Sequence, residues 1–153
     1  MDPMWIVLAD EGKARILECR EPGHQLEEVE ELTDAGAHAD NADFRRDAYG
    51  RRSGGDIRMG GNATASAGEE KLDHEAELFA RRVAERLSEA HRQHRYGQLR
   101  IAAAPRFLGR LRKVMDQEVS KAVVDEIDKD WLQLDRRTLV QRLFPEQQGQ
   151  RNA

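Results

Sequence analysis

The sequence predicts an α/β fold in which helices pack on a single five-stranded mixed sheet. Two short apolar runs near the N-terminus, separated by turn residues, are typical of a β-hairpin. Further along, apolar segments of strand length alternate with amphipathic segments of helix length, as in units that join parallel strands through a helix. A length of 153 residues suits one domain, which we expect to span residues 1–146 and to be followed by a flexible tail over 147–153.

The N-terminal region predicts three antiparallel strands. Residues 4–9 form a continuous apolar run, and residues 10–13 supply the turn chemistry that leads into a second apolar segment over 14–19. The segment 26–32 is acidic and is punctuated by three apolar residues, so we expect a more exposed strand at the edge of the sheet.

A long loop is predicted over residues 33–68, because this stretch holds seven glycines and few large apolar residues. Loops of this length are usually functional or disordered. We expect Gly50 and its neighbouring glycines to give the loop mobility. Within the loop, the segment 44–61 is locally basic in a chain that is acidic overall, because it holds five arginines against two aspartates: Arg45, Arg46, Arg51, Arg52 and Arg58, with Asp47 and Asp56.

The second half of the chain predicts alternating helices and strands. Apolar residues at spacings of three and four indicate an amphipathic helix over 70–95, with acidic residues at its start where the helix dipole favours them. The remaining predicted elements are a strand over 99–104, a helix over 106–119, a strand over 122–127 and a helix over 135–144 with Asp135 as its N-cap. The resulting order, β-β-β-α-β-α-β-α, is that of a ribonuclease H-like fold.

Composition narrows the classes of function. A formal net charge of −4 excludes nucleic-acid binding that depends on overall charge, so such a role would need positive charge concentrated on one face. Cys19 is the only cysteine, which excludes an internal disulfide framework. Because no apolar run is long enough to span a bilayer and no secretory pattern opens the chain, we expect a cytoplasmic protein without membrane insertion.

The junction at Pro105 is the main candidate site. An apolar strand ends there, and the following helix carries Arg106, Arg110 and Arg112. Unpaired N–H groups in a helix's first turn, together with the helix dipole, favour an anion, and arginines would add formal charge. These arginines could equally be solvent-facing residues beside core positions. Gly109 is unfavourable in a helix, so close approach of a backbone or a ligand is one reason for it, and core packing is another.

Asp10 is the weak catalytic candidate. It follows the first strand, where a metal-dependent enzyme would place a carboxylate. The end of the fourth strand offers Ala102, Ala103 and Ala104 instead of a second carboxylate, so a turn-forming role for Asp10 is favoured. We therefore predict no metal and no cofactor.

Several motifs together resemble one bacterial family, the proteins required for attachment to host cells, a branch related to the middle domain of peptide-release factors and of the ribosome-rescue factor Pelota. The resemblance covers nearly the whole chain, although Ala48-Tyr49 stands where the family tends to have Arg-Pro. The motifs are Trp5-Ile6-Val7-Leu8-Ala9-Asp10 with Ala14-Arg15, Asp47-Ala48-Tyr49-Gly50-Arg51, Phe79-Ala80, Ala103-Ala104-Pro105-Arg106-Phe107-Leu108-Gly109 with Leu111-Arg112, and Glu126-Ile127-Asp128-Lys129-Asp130.

The resemblance implies a role connected with attachment and, through the release-factor kinship, contact with ribosomal or transfer RNA. Our leading hypothesis is a non-catalytic protein that recognises RNA, a ribosomal surface or another phosphate-bearing partner. The alternatives are a metal-dependent enzyme acting on a phosphorylated or nucleotide substrate, and an adhesion-related protein-interaction module. The expected binding residues are Arg45, Arg46, Arg51, Arg52, Arg106, Arg110 and Arg112, with Gly50, Pro105 and Gly109 shaping the backbone.

Overall fold

A computed structural model of the chain describes residues 2–21, 25–34 and 57–145. Its strands form one sheet in the order β3-β2-β1-β4-β5. The first three strands pair antiparallel, while β1 with β4 and β4 with β5 pair parallel. This confirms the predicted α/β fold with a five-stranded mixed sheet, and it places β3 at an edge. The strands are β1 (Met4–Ala9), β2 (Lys13–Cys19), β3 (Glu27–Thr33), β4 (Gln98–Ala103) and β5 (Val123–Ile127).

Four helices pack around the sheet in the part of the chain that the structure describes, where the sequence predicted three. They are α1 (Ile57–Arg92), α2 (Pro105–Val114), α3 (Gln117–Ala122) and α4 (Arg136–Leu143).

Helix α1 corrects the prediction that the loop reaches Gly68, because the helix already begins at Ile57. The glycines that suggested a loop are interspersed with alanines at 63, 65 and 67, which favour helix. Extending an existing helix also needs no new nucleus. The predicted binding residues of the loop, Arg45, Arg46, Gly50, Arg51 and Arg52, lie outside the described residues.

The C-terminal end of α1 also differs from the prediction. The helix ends at Arg92 and not at residue 95. His94 has a φ of 57°, in the left-handed region, and the Arg95 N–H donates to the Ala90 carbonyl at 2.9 Å. A left-handed residue just beyond the last turn commonly ends a helix in this way.

The predicted helix over 106–119 is in fact two helices, α2 and α3. Met115 is extended, with a ψ of 138°, so it interrupts the helical backbone. Asp116 then caps α3, since its carboxylate accepts the Val119 N–H at 2.8 Å. Asp116 therefore marks the start of a second helix, which the prediction of one continuous helix over 106–119 did not include. The predicted N-cap at Asp135 is confirmed, because its carboxylate accepts the Thr138 N–H at 2.7 Å.

Apolar side chains are buried on both faces of the sheet. Helices α1, α2 and α3 cover one face, in a cluster that includes Trp5, Phe79 and Phe107. Helix α4 and the preceding segment cover the other face, in a cluster that includes Leu17 and Trp131. Strand β1 contributes to both clusters, which explains why residues 5–9 are apolar without alternation.

Candidate functional site

The ends of β1 and β4 lie side by side at one edge of the sheet. Ala9 pairs with Ala103 in parallel register, and the Ala104 N–H donates to the Ala9 carbonyl at 3.1 Å. Asp10 follows the end of β1 directly, and Pro105 lies two residues after the end of β4. The parallel register therefore brings the two segments close together. In open α/β sheets, ligands commonly bind outside the carboxyl ends of strands where the chain connections change direction.

Asp10 forms the turn between β1 and β2. Its Oδ1 accepts the N–H groups of Gly12 and Lys13, each at 2.8 Å, and its own N–H donates to the Lys13 carbonyl at 2.9 Å. These contacts are those of a side chain that stabilises a tight turn. Within the described ranges, no group of three or more His, Cys, Asp or Glu side chains is placed to hold a metal ion.

The first turn of α2 lacks a side-chain cap. Ala104 stands at the N-cap position, and no side chain accepts a hydrogen bond from the N–H groups that follow it. Pro105 occupies the first helical position, where the missing N–H costs nothing. Arg106 is exposed and makes no ion pair or side-chain hydrogen bond with the described residues. The junction therefore presents one unpaired guanidinium beside uncapped N–H groups.

Arg110, one turn further along α2, is engaged by acidic residues of α1. Its Nη2 lies 3.0 Å from Asp73 Oδ1, and its Nη1 lies 3.5 Å from Glu77 Oε1 and 3.3 Å from the Asp73 carbonyl. The Arg110 side chain is 16% exposed. Its Nε is buried and has no acceptor among the described residues.

Arg112 is engaged from the other side of α2. Its Nε donates to Glu126 Oε2 at 2.6 Å, which ties α2 to strand β5. Two of the three arginines predicted at this junction therefore balance charge within the protein. Among these three arginines, Arg106 alone presents a guanidinium without a partner in the described part of the chain.

Gly109 does not make the close backbone approach that the sequence analysis considered. A Cβ built at this position meets no atom of the described residues within 4 Å. Core packing therefore does not require a glycine here. The position faces open space on the same helix as Arg106 and Arg110.

Asp73 and Glu77 are the residues at this site that sequence reasoning missed. The acidic residues near position 70 were expected at the start of a helix, but α1 begins 13 positions before residue 70 and has no acidic residue in its first turn. The spacing of four residues between Asp73 and Glu77 places both on one face of a helix. That spacing was the available signal, although their partner on α2 could not be read from it.

Comparisons with known proteins identify a family. Residues 5–143 match the family described as "Protein required for attachment to host cells". The match spans the sheet, the junction at Pro105 and helix α4. No curated protein matches the chain. None of the described helices has the length and apolar character needed to cross a membrane.

Proposed function

We propose a binding function for this chain, which belongs to the family of proteins required for attachment to host cells. In this proposal the protein is non-catalytic and recognises a phosphate-bearing partner at the edge of the sheet where β1 and β4 end. RNA or a ribosomal surface is the first candidate, because of the resemblance to release-factor and Pelota domains.

One observation carries the proposal: Arg106 is exposed at the first turn of α2, and neither it nor this turn has a side-chain partner or cap among the described residues. A guanidinium can engage phosphate through two parallel hydrogen bonds. The neighbouring backbone N–H groups and the helix dipole add to the attraction for an anion. Arg110 and Arg112 supply less than their formal charge, since each is paired with carboxylates.

Asp10 supports a non-catalytic role. Both hydrogen bonds to its Oδ1 belong to the β1–β2 turn. The adjacent end of β4 presents Ala103 and Ala104, so β4 places no carboxylate beside Asp10. A step that requires two or more carboxylates around a metal ion has no support from these residues.

The test measures binding of the purified protein to ribosomes and to a short mixed-sequence RNA pool across a salt series. Arg106→Ala is expected to weaken binding and to lower the slope of log affinity against log salt by about 0.7–0.9, which corresponds to one lost phosphate contact. Arg137→Ala is the matched control, because Arg137 is an exposed arginine on α4, the helix that packs on the opposite face of the sheet. This control is expected to bind as the unmodified protein does.

Equal binding by Arg106→Ala and Arg137→Ala would contradict the role of Arg106. Absence of binding to RNA and ribosomes would contradict the proposed partner. Binding that persists at high salt would favour the protein-interaction module instead. The arginines at 45, 46, 51 and 52 belong to the same proposal, and their alanine variants can be compared in this assay.

A further inference from the structure

We propose that Asp73 and Glu77 form an autoinhibitory contact that competes with the phosphate-bearing partner for Arg110. This inference rests on the proposed function, because it describes how the same edge of the sheet is regulated. In the unbound protein the carboxylates of α1 hold Arg110. Partner binding releases Arg110, which then joins Arg106 on the phosphate.

The geometry of the contact carries the proposal. Arg110 uses both terminal nitrogens on α1, at 3.0 Å from Asp73 Oδ1 and 3.5 Å from Glu77 Oε1. Arg110 lies four residues after Arg106, so the two side chains share one face of α2. Asp73 and Glu77 therefore bind the guanidinium of Arg110, which lies about one helical turn from the guanidinium of Arg106.

The contact is built so that it can open. The side chains of Asp73 and Glu77 are 54% and 58% exposed, so water screens both ion pairs on the carboxylate side, while Arg110 is largely buried. The Nε of Arg110 is buried without an acceptor among the described residues, so the contact leaves one donor unsatisfied. A phosphate that accepts from Arg110 in another orientation can satisfy that donor.

Release would change what α2 offers to a ligand. Two guanidiniums one turn apart can bind one phosphate group or two successive phosphates of a strand. With Arg110 held by α1, the carboxylates of Asp73 and Glu77 also stand beside the site and repel a polyanion. The same two residues therefore reduce affinity both by occupying Arg110 and by their charge.

The experiment measures the affinity of the short mixed-sequence RNA pool for the full chain and for the double variant D73N/E77Q. The double variant loses both ion pairs to Arg110, which compete with RNA for its guanidinium. We expect RNA binding to become tighter by about 2- to 30-fold. The control is E85Q/E89Q, which makes the same change in net charge at two exposed positions of α1. It measures the gain that comes from net charge alone. Both double variants are also compared in an R110A background.

We expect D73N/E77Q to increase the affinity for RNA more than E85Q/E89Q does. This additional increase should disappear in the R110A background. If the unmodified protein binds RNA and D73N/E77Q binds no more tightly than the control, the autoinhibitory contact is wrong and the proposed function stands. If D73N/E77Q binds and the unmodified protein does not, the contact is supported in its strongest form. If no variant binds, both the contact and the proposed function are contradicted.

Discussion

At the scale of single residues, aspartates at the ends of elements act through the hydrogen bonds they accept. Asp10 accepts two N–H groups in the β1–β2 turn, and Asp135 caps α4. Asp116 caps α3 and also accepts a hydrogen bond from the Ser88 hydroxyl of α1. The hydrogen bonds to Asp116 and Asp135 lower the pKa of each carboxyl below its ordinary value, so they connect folding to pH.

Asp116 is expected to make stability depend on pH. The hydrogen bond from Ser88, followed by the one from the Val119 N–H, lowers the pKa of Asp116 below its ordinary value of 3.8. A carboxyl whose pKa is lower in the folded state than in the unfolded state stabilises the fold above the unfolded pKa. That stabilisation is lost as the pH falls through the folded pKa. Asp116→Asn should therefore be less stable than the unmodified protein at pH 7, and the difference should shrink below about pH 3.8.

Urea unfolding at a series of pH values from 7 to 2 checks this expectation. Ser88→Ala removes the largest cause of the lowered pKa of Asp116. The stability difference between this variant and the unmodified protein should therefore also shrink at low pH, by a smaller amount. A difference between Asp116→Asn and the unmodified protein that stays constant at every pH would show that the charge of Asp116 does not contribute to stability.

At the scale of elements, α2 is the helix that both packs and presents charge. Phe107, Leu108 and Leu111 are buried against the sheet and α1. Arg106 is exposed on the same helix, and Gly109 is half-buried. The apolar positions explain why the helix docks, and they leave the glycine without a packing reason.

Gly109→Ala is expected to stabilise the protein by about 0.5–1 kcal/mol, because a glycine inside a helix loses more backbone entropy on folding than an alanine. The added Cβ would meet no described atom within 4 Å. Urea unfolding measures the change in free energy. Loss of stability would mean that space at this position is needed for packing. RNA affinity measured in parallel tests whether the partner approaches Gly109. A variant that is stable but binds RNA more weakly would place the partner beside this residue.

At the scale of the whole molecule, one sheet carries two apolar clusters on its opposite faces. The two tryptophans of the chain report on one cluster each. Trp5 stacks on Tyr96 at 5.0 Å between ring centroids, in the cluster beneath α1 to α3. Trp131 lies in the cluster beneath α4, with the Arg142 guanidinium 5.6 Å from its ring centroid. Because β1 contributes to both clusters, we expect them to unfold together.

Single-tryptophan variants test whether the two faces form one cooperative unit. Trp131→Phe leaves Trp5 as the fluorescent probe, and Trp5→Phe leaves Trp131. In each variant the fluorescence transition in urea is expected to coincide with the transition measured by far-ultraviolet circular dichroism. This comparison within one variant is unaffected by the stability lost through the substitution. An earlier fluorescence transition for Trp131 would show that the face covered by α4 unfolds separately, against the prediction of one domain over residues 1–146.

The strands, their order along the chain and the cap at Asp135 could be predicted from the amino-acid sequence. Apolar runs of strand length marked β1, β2 and β4, and Asp135 marked the start of α4, because both signals depend on neighbouring residues alone. The sequence motifs also indicated the family, while the site at the Pro105 junction stays a prediction. The break at Asp116 also has a local signal, since Asp116 caps α3 as Asp135 caps α4, but the prediction of one helix over 106–119 did not use it. The length of α1 and the pairing of the arginines became known from the packed structure. Arg110 meets Asp73 across 37 positions of the chain and Arg112 meets Glu126 across 14. Such pairs depend on how helices pack, so local spacing could not predict which arginine would remain unpaired.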